Sequence, residues 1–424
     1  MIPRIASILQ NCQSLLLIAG LAFALRLGYR WNSGEEYFWK NGYVFFAELA
    51  HNIAAGNGIA LNVGEPTAFR VPGYPIFLAF ITFGRDAFVA VAFWQSLVGA
   101  ATVICAALIA RTLFGNAAAL IAAGITGIYP YYVEHDTALQ ETSLFTLLTA
   151  VGVLLLLLAR RRMSVLIAAV VGLVFGLATL TCATLAPFAI ATPALLVVPG
   201  RSESRVAWRR LQCAGVCAVV LAMTVAPWLV RSYALNGTPT LSGETGHFLW
   251  LGNNPWTFSS HYPIESIDNT EEVALEALDP RERAQLETMT DEVQLDRWYL
   301  AKALQYIREH PWRTIGNDGR KLAAAFGVLP SPRHGFVANM VYALSYGPVL
   351  LLGLWGMWTS RHHWRDHLVF YALFVSFALV TAVFFGHTSY RAYLDVYLIV
   401  FAAYTLARLP AVIRPQMVRL QQPS

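Results

Sequence analysis

The chain has 424 residues, of which 57% are hydrophobic and only 13% are charged. Soluble globular proteins carry about 25% charged residues, so this composition excludes a water-soluble globule of this size and indicates a protein whose solvent is the lipid bilayer. The formal net charge is +5, and the arginines form short clusters between apolar runs. Nucleic acid is therefore excluded as a partner, because its binding needs a continuous basic surface.

Crossing a bilayer takes about 20 apolar residues in a helix. Ten segments approach or meet this length: 8–28, 88–112, 115–133, 142–159, 163–181, 184–199, 211–230, 336–357, 367–386 and 390–408. The sequence therefore predicts an all-α polytopic membrane protein with about ten transmembrane helices. Segment 72–84, which begins with Pro-Gly-Tyr-Pro, is too short to span and predicts a re-entrant or interfacial helix.

The arginine clusters in short loops predict the orientation, because such clusters stay in the cytoplasm. If the spans alternate, one side of the membrane carries Arg160, Arg161, Arg162, Arg201, Arg205, Arg209, Arg210, Arg361, Arg365, Arg408, Arg414 and Arg419. This side is interpreted as cytoplasmic, which places both termini inside. Segments 29–87, 130–141 and 231–335 then project outward, and the long one is translocated regardless of its charges.

These segments divide the chain into three regions. Residues 1–230 form an N-terminal membrane region with an amphipathic first outer loop, 231–335 an outer cap, and 336–424 a C-terminal membrane region. Within the cap, 236–270 has loop composition, whereas 271–326 has the apolar spacing of two to four helices. Pro311 is expected to begin one of them.

Polar residues that need an explanation gather on the predicted outer side. They are Glu35, Glu36, Glu48, Arg70, Glu134, His135, Asp136, Glu141, Arg231, Lys321, His387 and Arg391. A carboxylate can accept a proton from an attacking hydroxyl, and a cation can hold a departing phosphate. Carboxylates and cations facing one another at a membrane surface therefore favour group transfer from a phosphate carrier.

Several short motifs, in this order, resemble one known family. They are Ala50–Gly58, Pro66–Ala68, Arg70–Ala79, Pro227–Ser232, Leu251–Pro255 and the pair Tyr390-Arg391. The chain resembles, over most of its length, the bacterial GT-C glycosyltransferases related to protein O-mannosyltransferases and aminoarabinose transferases. The resemblance implies a GT-C membrane fold, a polyprenyl-phosphate sugar donor, inversion at the sugar carbon, and a catalytic acid in the first outer loop. In some members it also implies a divalent metal.

The implied enzyme lies in the bacterial inner membrane with its active site on the periplasmic face. It passes a sugar to a hydroxyl of a glycan, lipid or protein, with membrane lipids around it. Arg70, Arg231, Lys321, His387 and Arg391 are then the expected donor-phosphate ligands. Two other functions stay open: a lipid-linked glycan transporter, and an inactive homologue acting as a scaffold. The absence of an internal repeat and of charges within the spans disfavours a transporter.

The catalytic acid is the least determined residue. Related proteins carry an acid five to eight positions before the alanine that matches Ala50, whereas this chain has Gly42-Tyr43-Val44-Phe45 there. Glu36, then Glu35, and then Glu48 are the expected bases, with Asp136 or Glu141 next. Each acid also has a structural interpretation as a solvated interfacial charge.

Two other groups have structural alternatives. Arg70 and Arg231 lie at span ends, where arginines also extend to lipid headgroups. Glu134, His135 and Asp136 suggest a metal site, but adjacent side chains point in different directions and no second pair completes the ligand set.

Overall fold

The computed structural model of the chain describes residues 2–83, 88–199, 207–258, 270–289, 291–330 and 335–420. Side chains are described within these ranges from residue 12 to 409, except 270–272. Of the predicted cytoplasmic arginines, Arg201 and Arg205 and the side chains of Arg414 and Arg419 lie outside the described part.

The described residues form a helical protein. Its helices are α1 Ile2–Lys40, α2 Val44–Ala54, α3 Gly73–Thr82, α4 Phe88–Phe114, α5 Asn116–Ile128, α6 Pro130–His135, α7 Thr142–Arg162, α8 Val165–Thr179, α9 Ala186–Val197, α10 Ala207–Asn236, α11 Thr245–Gly252, α12 Thr270–Glu276, α13 Pro280–Glu287, α14 Glu292–Glu309, α15 Pro311–Ala325, α16 Phe336–Thr359, α17 Trp364–Val383 and α18 Thr388–Leu420. The β-structure in the described residues is one short antiparallel hairpin, β1 Ala60–Asn62 and β2 Glu65–Pro66, which turns at Gly64 with φ +87°.

A helix lies at each of the ten predicted spans, which confirms the all-α polytopic class. Within the described residues, seven helices are long and apolar enough to cross a membrane: α1, α4, α7, α10, α16, α17 and α18. The other three predicted spans correspond to shorter apolar helices, Asn116–Ile128, Val165–Thr179 and Ala183–Val197. The ten-residue α3 occupies the segment that was expected to be too short to span.

Local signals explain several helix ends. Gly115, at φ +92°, separates α4 from α5, and the Ser164 side chain accepts a hydrogen bond from the Ile167 backbone N–H at the start of α8. Pro311 begins α15, as predicted, because a proline at the first helical position loses no intrahelical hydrogen bond.

α1 breaks at Gly34 but then continues to Lys40. The first span was expected to end at residue 28, so Glu35 and Glu36 lie on a helical extension and not in an open loop.

α18 is the central helix. Of its most apolar window, 78% is buried within the protein, against 17% for α1. It packs against α16, α5, α4 and α7. Among its buried residues are the ion-paired Arg391 and Asp395, whose Nε and Oδ1 atoms are 3.0 Å apart.

The expectation that the spans carry no internal charge is wrong. Asp395 lies two turns into α18, and Arg26 lies well inside α1. Both are buried, and Arg26 Nε lies 2.7 Å from Asp136 Oδ2. Pairing explains how these charges are tolerated away from water, because a buried charge without a partner is strongly unfavourable.

The cap is more helical than the sequence predicted. α11 lies within the segment 236–270 that was expected to be loop, while residues 259–269 of that segment lie outside the described part. The expected helical part contains α12, α13, α14 and α15, at the upper limit of the prediction. α11 and α14 pack through aromatic side chains, with the Trp250 and Tyr299 ring centroids 4.9 Å apart.

Candidate active site

Arg70 lies between the β-hairpin and α3, inside a cage of three aromatic rings. Its guanidinium carbon is 5.4 Å from the ring centroid of Phe45 on α2, 5.1 Å from that of Phe69, and 4.9 Å from that of Phe248 on α11. Its Nη2 atom lies 3.1 Å from Oε2 of Glu244. The cage fixes the plane of the guanidinium, since cation–π contacts favour placement over ring faces. The first outer segment and the cap therefore meet at this arginine.

Backbone contacts hold Glu244 in this position. The Gly243 N–H donates to the Ala68 carbonyl at 3.0 Å, and the Ser242 hydroxyl donates to the Phe69 carbonyl at 2.9 Å. Gly243 packs so closely that an added Cβ would lie 3.3 Å from the Ala68 oxygen. The turn before α11 is thus hydrogen-bonded to Ala68 and Phe69, the two residues that precede Arg70.

Glu141 brings the second outer loop into the same neighbourhood. It directly precedes α7, and its Oε2 atom is buried without a hydrogen-bond partner among the described residues. Burial raises the pKa of Glu141 above the ordinary glutamate value, and the positive charge of Arg70 partly counteracts this rise. A buried carboxylate with a raised pKa is a better proton acceptor near neutral pH than an exposed one.

Cys182 is the nearby side chain that could have offered a nucleophile. Burial, reinforced by the charge of Glu141, raises the pKa of its thiol to about 11. The thiol is therefore protonated at neutral pH, and the reactive form of a cysteine is the thiolate. Cys182 is accordingly a packing residue.

Three buried polar atoms near Arg70 have unused hydrogen-bonding capacity within the described part of the chain. They are Arg70 Nε, Glu141 Oε2 and Glu244 Oε2, although the last forms the ion pair with Arg70 Nη2. Buried polar atoms in native proteins are nearly always hydrogen-bonded. Arg70 Nε and Glu141 Oε2 are thus a donor and an acceptor without hydrogen-bond partners in the described part of the chain, which is the unused polar capacity expected of a site that binds a polar ligand.

Arg231 contacts backbone carbonyls. Its Nη1 donates to the Thr67 carbonyl at 2.7 Å, and its Nη2 donates to the Ile59 carbonyl at 2.8 Å. It therefore bridges the two ends of the segment 59–67, which contains the β-hairpin and precedes Arg70. Its expected role as a phosphate ligand stays a prediction, and the geometry gives it a positioning role.

Lys321 and Arg391 also donate to protein groups. Lys321 Nζ donates to Asn253 Oδ1, Asp318 Oδ1 and the Ala382 carbonyl at 2.8–3.2 Å. Arg391 pairs with Asp395 and donates to the Ala325 carbonyl and the Tyr342 hydroxyl, each at 2.8 Å.

His387, beside this group, hydrogen-bonds to Ser389 through Nδ1 at 2.5 Å. Within the described part of the chain, the hydrogen bonds of Lys321 and Arg391 go to groups other than Arg70. Phosphate binding by these three residues also stays a prediction.

The three adjacent polar residues of the second outer loop have separate partners. Asp136 pairs with Arg26, and the Tyr37 hydroxyl donates to Glu134 Oε1 at 2.8 Å. His135 stacks on Tyr131, with ring centroids 4.1 Å apart. Each therefore points to a different neighbour, as the sequence predicted for adjacent side chains.

The expected bases of the first outer segment lie on the surface. Glu35 and Glu36 are exposed, and Glu35 Oε1 accepts a hydrogen bond from the Trp39 indole at 3.3 Å. Glu48 is also exposed, but it lines a cavity of about 430 Å³ between the end of α1, α2, β1 and α3. Of the three acids, Glu48 is the one that lines this cavity.

No three His, Cys, Asp or Glu side chains form a group able to hold a metal ion within the described residues. Glu141 and Glu244 are single acids from different segments. A divalent metal, which the resemblance implies for some family members, stays a prediction for this chain.

Residues 70–228 match the sequence model of the dolichyl-phosphate-mannose-protein mannosyltransferase family. No curated protein sequence matches the chain. Similar solved structures are those of the oligosaccharyltransferase AglB from the archaeon Archaeoglobus fulgidus, a GT-C enzyme. A form tethered to an acceptor peptide superposes with a TM-score of 0.58 at 15% identity, covering 96% of this chain and 50% of that chain.

Two other AglB structures give the same result. A complex with an inhibitory peptide and a dolichol-phosphate has a TM-score of 0.53 at 14% identity, covering 98% of this chain and 52% of that one. A complex with Zn and sulfate has a TM-score of 0.52 at 15% identity, covering 96% and 50%. The chain thus spans about half the length of these structures. It has the GT-C fold, which confirms the resemblance inferred from the short motifs.

Sequence reasoning missed Glu244 and the aromatic cage. The available signal was the turn Ser242-Gly243-Glu244, seven residues before the family-like motif that begins at Leu251. Its importance was hidden because 236–270 has loop composition, and composition does not indicate which earlier segment a loop contacts.

Proposed function

We propose that this chain is a membrane glycosyltransferase that moves a sugar from a polyprenyl-phosphate carrier to a hydroxyl of a glycan, lipid or protein. The proposal rests on three observations: Arg70 is ion-paired with Glu244, its charge acts on Glu141, and Arg70 Nε and Glu141 Oε2 have no hydrogen-bond partner among the described residues. The GT-C fold and the match of 70–228 to the mannosyltransferase family support the same reaction class.

The proposed step is a single displacement at the anomeric carbon. The acceptor oxygen forms a bond to that carbon, and the bond from the carbon to the phosphate oxygen breaks. The electron pair leaves with the lipid phosphate, and the acceptor proton passes to a carboxylate. Such a displacement inverts the sugar carbon.

Arg70 is the proposed phosphate ligand. Its Nε is free to donate, and its planar guanidinium is held by the three rings. A rigid charged donor that meets developing negative charge on the leaving phosphate lowers the barrier, because little reorganisation is needed during the reaction. Glu244 limits the net charge of the site and orients the guanidinium through Nη2.

Glu141 is the proposed base. It combines burial, a raised pKa and proximity to Arg70, whereas Glu35 and Glu36 are exposed. Glu48 is the second candidate because it faces the cavity beside α2. One AglB structure is a complex with a dolichol-phosphate, which supports a lipid-phosphate donor for a protein of this fold.

The proposed location is the bacterial inner membrane, with the site on the periplasmic face and both termini in the cytoplasm. The arginine clusters of the short loops support this orientation. Reporter fusions after Arg162, Arg210 and Arg365 should report cytoplasm, and fusions near Asn57 and Thr270 should report the outside. A periplasmic signal at Arg210 contradicts the proposed orientation but does not test the proposed sugar transfer.

The activity test uses the purified full chain in proteoliposomes with radiolabelled polyprenyl-phosphate sugars and with glycan, lipid and peptide acceptors that carry hydroxyl groups. Hexose, aminosugar and pentose donors are supplied one at a time, and release of the lipid phosphate is measured. The expected result is consumption of one donor class by the wild type and loss of this consumption in Glu141→Gln. Movement of the labelled lipid between leaflets without consumption indicates a transporter. Neither consumption nor movement with any donor indicates a scaffold.

A further inference from the structure

The cap helix α15 has its polar and apolar sides reversed relative to a water-exposed helix. Its buried stripe is Thr314, Asn317, Lys321 and Ala325, so three of the four residues facing the protein are polar. Its exposed side includes Trp312 at 83% and Ile315 at 59% exposure, with Gly316, Gly319 and Ala323 also exposed. Both stripes recur every three or four residues, as one face of a helix does.

The neighbouring cap helix α14 shows the ordinary arrangement. It buries Trp298, Tyr299, Ala303 and Tyr306 and exposes polar residues such as Arg297 and Gln305. A helix bordered by water is expected to hide its apolar stripe in this way. The two longest helices of the cap therefore differ in which side they expose, since α14 buries its apolar stripe and α15 exposes Trp312 and Ile315.

The buried polar side of α15 is held at the ends of two spans. Lys321 Nζ donates to the Ala382 carbonyl near the end of α17, and an added Cβ on Gly386 would lie 2.1 Å from the Lys321 carbonyl oxygen. Gly386 lies in the turn between α17 and α18. The C-terminal half of α15 is thus fixed at the depth where two membrane-spanning helices end.

The chain after α15 leads directly to a lipid-facing surface. Val328 and Leu329 are exposed, and α16 then begins with Phe336 and Val337 at 80% and 74% exposure. α16 is long and apolar enough to span, and only 28% of its most apolar window is buried. The exposed apolar side of α15 is therefore followed in the chain by the exposed apolar surface of α16, which a bilayer must cover.

We propose that α15 lies in the membrane interface with its Trp312, Ile315 and Ala323 side against lipid, and that this surface anchors the cap to the bilayer. A tryptophan near the start of the helix fits this position, because Trp is enriched at the level of the headgroups. Lys321 and Asn317 can be buried towards the protein because the cap and the α17 end supply their hydrogen bonds. The exposed stripe of Trp312, Ile315 and Ala323 packs against lipid in this arrangement.

The test measures solvent at single positions of the full chain in proteoliposomes. Cys12, the exposed native cysteine, is replaced by serine, and Ile315→Cys or Gln305→Cys is introduced and spin-labelled. Collision rates with oxygen, which partitions into lipid, and with a water-soluble nickel chelate are compared by electron paramagnetic resonance. The ratio of oxygen to nickel collisions should be higher at Ile315 than at the matched position Gln305 of α14.

Two results overturn the proposal. If nickel reaches the label at Ile315 as readily as the label at Gln305, the stripe borders water. If the label at Ile315 is protected from both oxygen and nickel in nanodiscs that hold one copy of the protein, another part of this chain covers the stripe. Trp312→Cys on the same stripe repeats the measurement if Ile315→Cys does not fold. The readout is independent of catalysis, so the result stands whether or not a sugar donor is consumed.

Discussion

The charges around Arg391 and those around Arg70 differ in burial and in pairing: the Arg391 and Asp395 side chains are fully buried, whereas those of Arg70 and Glu244 are 30% and 15% exposed. Arg391 meets Asp395, the Ala325 carbonyl and the Tyr342 hydroxyl. Arg70 has one carboxylate partner and a buried Nε with no hydrogen bond among the described residues.

A fully paired buried charge holds helices together, whereas an incompletely paired one costs stability and retains capacity for a ligand. The difference separates structural from functional arginines that the sequence had placed in one group.

The largest effect is expected from breaking the satisfied pair. Arg391→Met leaves Asp395 buried without a counter-charge, which typically destabilises a protein by about 3–5 kcal/mol. Thermal unfolding of purified protein in detergent, followed by size-exclusion chromatography, measures the loss. The double variant Arg391→Met, Asp395→Leu should recover most of the stability. Equal loss in the single and double variants would contradict the pairing explanation.

Glu141→Gln should separate activity from stability. Donor turnover is expected to fall by about 10²-fold or more, the usual lower limit for removal of a general base. Stability near neutral pH should stay the same or rise, because the neutral amide avoids the cost of burying a charge. Glu35→Gln, Glu36→Gln and Glu48→Gln are the matched controls. If Glu48→Gln alone loses turnover, the base lies at the cavity beside α2.

Arg70→Ala is expected to reduce turnover by roughly tenfold to a hundredfold, since a charge-assisted hydrogen bond to a buried phosphate contributes about 1.5–3 kcal/mol. Arg70→Lys should recover only part of this loss, because the planar fork and the stacking on three rings are absent. Arg231→Lys serves as the comparison. It should reduce stability more than it changes the response to donor concentration, because Arg231 contacts backbone carbonyls.

The smallest effect concerns pH. Because burial raises the pKa of Glu141, the proposed base is protonated, and turnover falls, at a higher pH than for an exposed glutamate. The stability contribution has the opposite sign: burial of the ionised form is unfavourable above the raised pKa, and this penalty is relieved as the pH falls through it. A pH–turnover profile in which Glu48→Gln keeps the acidic limb and Glu141→Gln removes it identifies the base.

Membrane class, the helix at every span and the short helix α3 were all predictable, because hydrophobic run length is a local property that the bilayer thickness selects. The helix start at Pro311 was predictable for a similar reason. The cap arrangement was not, since α11 lies in a segment with loop composition and is held by contacts to Ala68, Phe69 and Asp296.

Site residues divide in the same way. Arg70 and Glu141 were among the candidates because charged residues beside spans are conspicuous in an apolar sequence. Nothing local distinguished them from Asp136, which pairs with the distant Arg26, or from Arg231, which donates to the distant Thr67 and Ile59 carbonyls. Arg391 differs, because its partner Asp395 lies one helical turn away.

By itself, the sequence determined the solvent of this protein, the positions of its helices and the order of its family-like motifs, since each depends on residues that are neighbours in the chain. Only the tertiary structure decided which of the charges far apart in the chain are paired, through contacts such as Arg26 with Asp136 and Arg70 with Glu244, each separated by more than 100 residues. Hydrogen-bond satisfaction is a property of the packed interior. It distinguishes a ligand site from an internal support only after the helices have come together.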